Sequence, residues 1–263
     1  CHKSQKLAIA AGALQVLKIL STMEYPQLRE ASARVIINLL QEKSLYPSLL
    51  RAAPVVPMLN YILHKSGMIS NQDQLQNSAT GATFDGDNSN NANANSNSNV
   101  DEDVSSLPSS AHIFDCAVHA MSCVAQAEEF RLHMYEKDGV AALVTSVLAG
   151  KVKTIKTATE IIRTWSLLSY QYSSTPILIN AQVILALLVL YRSGYVTPTS
   201  AEMICILIRN CSTVPQCRSN LIQKGALLLM RGLQSAMVGR SIAIARSVII
   251  AAEKFSLDED NHQ

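Results

Sequence analysis

The sequence predicts an all-α fold, a helical solenoid of about five three-helix repeats. Three observations carry that prediction. The first is a phrase that recurs about every 42 residues: Gly12-Ala13-Leu14 with Leu17 and Leu20, Gly139-Val140-Ala141 with Val144 and Val147, and Gly225-Ala226-Leu227 with Met230 and Leu233. Degenerate copies begin at Pro54 and Asn180, so the starts fall 42, 85, 41 and 45 residues apart and the second gap holds two periods. A fixed period of this size marks a repeat architecture, in which no unit buries its apolar face alone and only neighbour stacking makes a continuous core. The second is composition: 48% apolar but only 5% aromatic residues, with a single Trp, suits closely packed helices better than a sheet sandwich. The third is apolar spacing at helical period within each unit, as in Leu28, Ala31, Val35 and Leu39.

The first unit opens with a helix over Lys3–Ala11, closed by Gly12, a residue suited to the left-handed conformation that ends a helix. A second helix covers Ala13–Leu20, and Pro26 opens a third that runs to about Glu42. The second unit repeats this with Tyr46–Ala52 and Val55–His64, where Pro54 and Pro57 sit in the first turn and a missing N–H is tolerated. Its third helix is displaced to Ala111–Ala127. The third unit reads as Phe130–Asp138, Val140–Leu148 and Val152–Tyr170, with Ile155, Ala158, Ile162 and Trp165 as the apolar stripe of the last. The fourth has an ill-defined first helix near Pro176, then Ala181–Arg192, then a third helix opened by Thr197 as N-cap and Pro198 at the first helical position. The fifth covers Gln216–Lys224, Ala226–Ser235 and Arg240–Phe255.

The chain thus divides into residues 1–65 (the first repeat and the start of the second), an insertion at 66–110, the remaining repeats at 111–256, and an acidic tail at 257–263. The insertion is rich in Asn, Ser, Asp and Gly and cannot bury enough apolar area to offset its chain entropy, so disorder is expected there. Removing about 43 residues brings the second unit into register with the first, which makes the insertion a loop between two helices that still stack. It carries six acidic side chains and no Lys or Arg, leaving 22 basic against 14 acidic residues elsewhere. That split reads as a solvated surface.

Several function classes are excluded on these grounds. The longest apolar run, Val183–Tyr191, is far short of a membrane span, so no membrane partner is expected. Six cysteines form no disulfide framework, and Cys116, Cys123, Cys205 and Cys211 fall in helical apolar patterns, which points to a reducing, cytoplasmic setting with the nucleus also open. No signal-peptide pattern occurs, and the sequence opens at Cys1 inside a helix without an initiator Met, as a fragment of a longer chain would. Nucleophile motifs and phosphate-binding loops are absent, so no enzymatic activity, cofactor or small-molecule ligand is expected. Lys151, Lys153 and Lys156 form too small a cluster to carry nucleic-acid binding. His112, Cys116, His119 and Cys123 recur at helical spacing but span about 16 Å, so they cannot share one metal ion; an adjacent pair supplies at most half a site.

The Gly-Ala-Leu phrases opening second helices, together with Ile36-Ile37-Asn38-Leu39-Leu40, Met121-Ser122-Cys123-Val124-Ala125 and Leu207-Ile208-Arg209-Asn210-Cys211-Ser212 in third helices, resemble the armadillo repeat family. HEAT repeats share the period, but the glycine-opened second helix favours armadillo. The resemblance covers nearly all the chain outside the insertion. It implies a right-handed superhelix whose third helices line a groove, where Asn side chains hold the backbone of an extended peptide. Carried over, that ladder is Asn38, Cys123, Thr164, Asn210 and Ala251. Only two rungs are Asn, and Cys and Ala cannot offer both a donor and an acceptor to a peptide bond. In the import receptors of this family a Trp precedes each Asn by one turn; here that row is Arg34, His119, Glu160, Ile206 and Ser247, which argues against basic import signals as ligands. Arg34, Arg163 and Arg209 lie at or beside these rows, where a guanidinium can grip a partner's carboxylate. The expected function is therefore a non-enzymatic protein-binding scaffold or adaptor in a eukaryotic cell, taking an extended segment or a helix. Its expected site is Arg34, Asn38, His119, Cys123, Arg163, Thr164, Arg209 and Asn210. The alternatives are a regulator docking on an enzyme or GTPase, and a segment of a longer solenoid in a cytoskeletal or ciliary assembly.

Overall fold

A computed structural model describes residues 2–52, 54–66, 109–236 and 242–257. Most of the insertion and the end of the acidic tail lie outside the described residues, as does the disorder expected for the insertion. Among the described residues the fold is all-helical, with fifteen α-helices and two short 3-10 turns. In order they are α1 (His2–Ala10), α2 (Ala13–Thr22), α3 (Pro26–Leu40), α4 (Tyr46–Ala52), α5 (Val55–Lys65), α6 (Ser110–Gln126), α7 (Glu128–Glu136), α8 (Gly139–Leu148), α9 (Ile155–Leu168), α10 (Thr175–Asn180), α11 (Val183–Arg192), α12 (Pro198–Ser212), α13 (Pro215–Gln223), α14 (Ala226–Ala236) and α15 (Ile242–Ser256).

The packing is serial. Among the long helices α3 packs on α6, α6 on α9, α9 on α12 and α12 on α15. A second row runs parallel to it through α2, α5, α8, α11 and α14, each packed on the next. The helices on either side of the insertion, α5 and α6, pack directly against each other, as the register requires. The core is one apolar layer between the two rows, with Leu59, Ile62, Val118, Met121, Leu143, Trp165, Leu187 and Leu229 all fully or nearly fully buried. The apolar helix α11 belongs to this layer: no single described helix is long and apolar enough to cross a membrane.

Local chemistry explains where the helices begin. Ser109 accepts a hydrogen bond from the backbone N–H of His112 at the start of α6, and Thr154 accepts one from Thr157 at the start of α9. Thr197 and Ser200 form a reciprocal capping box ahead of Pro198, which confirms the start read from the sequence. Four of the five second helices follow a residue in the left-handed conformation, Pro54 ahead of α5 being the exception. Gly12, Asp138, Gln182 and Gly225 all take positive φ there, at 89°, 57°, 66° and 93°. The repeat therefore starts at Asp138 and Gln182, not at Gly139 and Asn180, and with Pro54 the intervals become 42, 84, 44 and 43 residues. Gly139 is the first residue of α8 and is buried.

The α3 stripe also differs from expectation. Ala31 and Val35 are exposed, while Arg29, Glu30, Ser32, Ala33, Ile36, Leu39 and Leu40 are buried. Two charged side chains enter: Glu30 pairs its charge with Arg34, whereas Arg29 donates from Nη2 to the backbone carbonyl Glu24 O at 2.7 Å and leaves Nε and Nη1 buried without a hydrogen-bond partner. In α9 the stripe of Ala158, Ile162 and Trp165 is buried as expected, with Ile155 left exposed at the first position.

The left-handed turns generate a stability prediction. Gln182 carries a Cβ penalty of about 1 kcal/mol in that conformation, so Gln182→Gly raises unfolding free energy by about that much in urea titration. Gly225→Ala lowers it by at least as much, because an added Cβ also meets Leu188 Cδ1 at 3.1 Å.

Candidate functional site

The third helices α3, α6, α9, α12 and α15 leave one stripe uncovered, and its register is regular. Asn38, Cys123, Leu167, Asn210 and Glu253 recur as exposed or half-exposed positions, 85, 44, 43 and 43 residues apart. One turn earlier the row is Arg34, His119, Arg163, Ile206 and Ile249. Two rungs of the expected ladder are corrected by this register. Thr164 and Ala251 are each 0% exposed, and the Thr164 hydroxyl donates inward to Glu160 O at 2.8 Å. For Thr164 the cause is the link ahead of the third helix. Three residues join α2 to α3 but six join α8 to α9, which carries the rung from Thr164 to Leu167. Five residues join α11 to α12, which keeps Asn210 on the ladder although its unit starts at Gln182.

The remaining expected residues lie on this surface, several with partners on their own side of it. Arg34 Nη2 sits 2.6 Å from Glu30 Oε1 and 3.0 Å from His112 Nε2. Arg163 Nη1 donates to Glu160 Oε1 at 3.3 Å. Arg209 donates to Asn210 Oδ1 at 3.2 Å, and Asn210 Nδ2 donates to Ser169 Oγ at 3.1 Å. The Asn210 amide is thus spanned at both ends within the chain, so clasping a peptide requires it to exchange those bonds. Asn38 is exposed beside a mostly apolar cleft of about 470 Å³ that Ile9, Val16 and Val35 help to form. His119 and Cys123 are neighbours on one face of α6, with Sγ 4.0 Å from Nε2.

Leu167, Tyr170 and Ile249 are surface residues that sequence reasoning missed. Ile249 is 67% exposed and Tyr170 55%. A Leu or Ile inside a helical apolar pattern reads as core, and only the recurring exposure marks these as surface. The middle of the stripe thereby becomes apolar, through Leu167, Met203 and Ile206, flanked by Arg163 and Arg209. At its end, a cleft of about 550 Å³ opens where α3, α6 and α7 meet, with Gln41, Lys43, Gln126, Glu128 and Arg131 among its walls.

Among the described residues, Cys116, Cys123, Cys205 and Cys211 offer no activated nucleophile. Burial pushes the Cys205 thiol up to about 11 and the Cys211 thiol up to about 12, and it raises Cys116 and Cys123 as well. The thiolate is the reactive form, so none of the four is primed near neutral pH. His112, Cys116, His119 and Cys123 do not converge on one point: only the adjacent pairs approach, each at 4.0 Å between Sγ and Nε2. No protein-family model and no curated protein matches this chain.

A labelling order follows from burial. In native protein at pH 8 a thiol reagent modifies Cys116 and Cys123 well before Cys205 and Cys211, which react only on unfolding; mass spectrometry of digested samples reads the sequence of events. Early labelling of Cys211 would contradict the close packing of α12 against its neighbours.

Proposed function

We propose that the chain is a non-enzymatic protein-binding scaffold or adaptor of the armadillo type: five three-helix repeats in a right-handed superhelix. Its partner, an extended protein segment or a helix, lies along the third helices. The observation that carries this reading is the recurrence of exposed or half-exposed positions at intervals of 43 to 44 residues along α6, α9, α12 and α15. Serial stacking repeats the same surface position at each step, which suits a ligand that is itself extended. An apolar centre of Leu167, Met203 and Ile206 with arginines at its margin suits a segment carrying apolar anchors and carboxylates. The setting proposed is the cytoplasm.

A second reading is favoured by one feature of α1 and α2. Leu7, Val16 and Ile19 are 70%, 54% and 58% exposed, beside the apolar cleft at Val35. An apolar solenoid face is normally covered by a neighbouring unit, so this surface suits stacking against another helical unit in a structural assembly.

Affinity capture from a eukaryotic lysate compares the wild-type chain with an Arg163→Glu, Ile206→Asp, Arg209→Glu variant and with a Val16→Glu, Ile19→Glu variant. The scaffold reading expects partners lost only with the first variant, by tenfold or more in recovered amount, about 1.4 kcal/mol. Loss only with the second selects stacking against another helical unit. Equal capture by all three, with circular dichroism confirming their folding, overturns both.

A further inference from the structure

The geometry points to a metal site between α3 and α6: Glu30, His112 and Cys116 together bind a thiophilic divalent cation of the zinc class. His112 and Cys116 stand one turn apart on the same face of α6, with Nε2 and Sγ 4.0 Å apart. Glu30 arrives from α3, its Oε1 3.2 Å from His112 Nε2. The three donor atoms all lie within 4.8 Å of one another. A tetrahedral zinc ion, with bonds of about 2.0 to 2.3 Å, holds its ligand atoms about 3.3 to 3.8 Å apart, so the Glu30 and His112 atoms already stand close to that spacing and the Cys116 thiol has to move toward both. This differs from the constellation excluded on the sequence. His119 and Cys123 take no part, and the third ligand comes from a helix distant in the chain.

The position is already shaped for a cation, because one occupies it. Arg34 Nη2 lies 2.6 Å from the Glu30 oxygen and 3.0 Å from the His112 nitrogen. A guanidinium can only donate, so in the tautomer protonated at Nδ1 His112 Nε2 accepts from it and presents its lone pair to the same point as the carboxylate. A metal ion needs that lone pair and that oxygen in the same orientation. Arg34 and the metal therefore compete. The Arg34 side chain is 60% exposed and leaves for water at little cost, while Glu30, with only 11% of its side chain exposed, stays in place. On binding, Cys116 coordinates as the thiolate and its proton passes to solvent. A thiolate, an imidazole and a carboxylate select zinc, cobalt or cadmium over calcium or magnesium and leave a fourth position for water. The bound ion ties α3 to α6, the first pair in the row of third helices.

The test is a Co²⁺ titration of the reduced, chelator-stripped full chain, followed by its thiolate-to-cobalt charge-transfer and d–d absorption. The expected result is saturation at one ion per chain, reversal by zinc, loss of the charge-transfer band in Cys116→Ser, and its retention in Cys1→Ser and Cys123→Ser. Removing the competing guanidinium, Arg34→Ala tightens binding by about tenfold; this gain of function cannot arise from misfolding. His112→Ala weakens it by at least as much while circular dichroism shows an intact fold. A band that survives Cys116→Ser, or an Arg34→Ala variant that binds no tighter than wild type, overturns the proposal.

Discussion

The carbonyl groups at helix C-termini set the constraint on which this structure depends. Every α-helix ends with carbonyls that have no partner inside it, and here those ends lie where the chain turns beneath a packed neighbour. At four successive junctions the end of a long helix accepts a hydrogen bond from the side chain six residues further on. Tyr46 Oη donates to Leu40 O at 2.9 Å, Arg131 Nε to Ala125 O at 2.9 Å, Ser174 Oγ to Leu168 O at 2.9 Å, and Arg218 Nε to Ser212 O at 2.8 Å. Three residue types do one job. What recurs is the distance along the chain and the carbonyl to be satisfied, and an unmet buried carbonyl costs about 1 to 3 kcal/mol.

The same need links neighbouring helices in the second row. Tyr61 on α5 donates to Thr22 O at the end of α2, and Lys151 donates to Leu63 O and His64 O near the end of α5. Asn60 donates to Lys137 O just past the end of α7. These bonds run between sequentially adjacent packed units, in parallel with the apolar contacts. Stability is built locally and handed along the row. The stripe left uncovered on the third helices carries few of these bonds: Asn210 contacts Ser169, and Arg34 contacts His112 on α6. Its residues are therefore free to differ from unit to unit, as Asn38, Cys123, Leu167 and Glu253 do, and this freedom is what a recognition surface requires.

Much of the fold was legible in the sequence because its signals are local. Glycines at φ near 90° stand where the phrases place them at Gly12 and Gly225, and the cap at Thr197 with Pro198 fixes the start of α12. The displaced third helix of the second unit, expected at Ala111–Ala127, is found at Ser110–Gln126. The surface was less legible, because its register passes through links of variable length. A sequence period carries Thr164 and Ala251 onto the ladder, but the six-residue link ahead of α9 turns that helix and puts Leu167 there instead. Asp138 and Gln182 hide two of the left-handed turns, since Gln does not announce a positive φ and Asp does so far more weakly than Gly. The meeting of Glu30 with His112 and Cys116 had no sequence signal, because it depends on how α3 lies across α6.

Native-state hydrogen exchange on an Arg218→Met variant tests most directly whether stability is held junction by junction. Met keeps the apolar stem and removes the donor to Ser212 O. Junction-by-junction stability predicts faster exchange in α12 to α15, with α1 to α6 protected as in the wild-type chain. A uniform loss of protection across all fifteen described helices would contradict it.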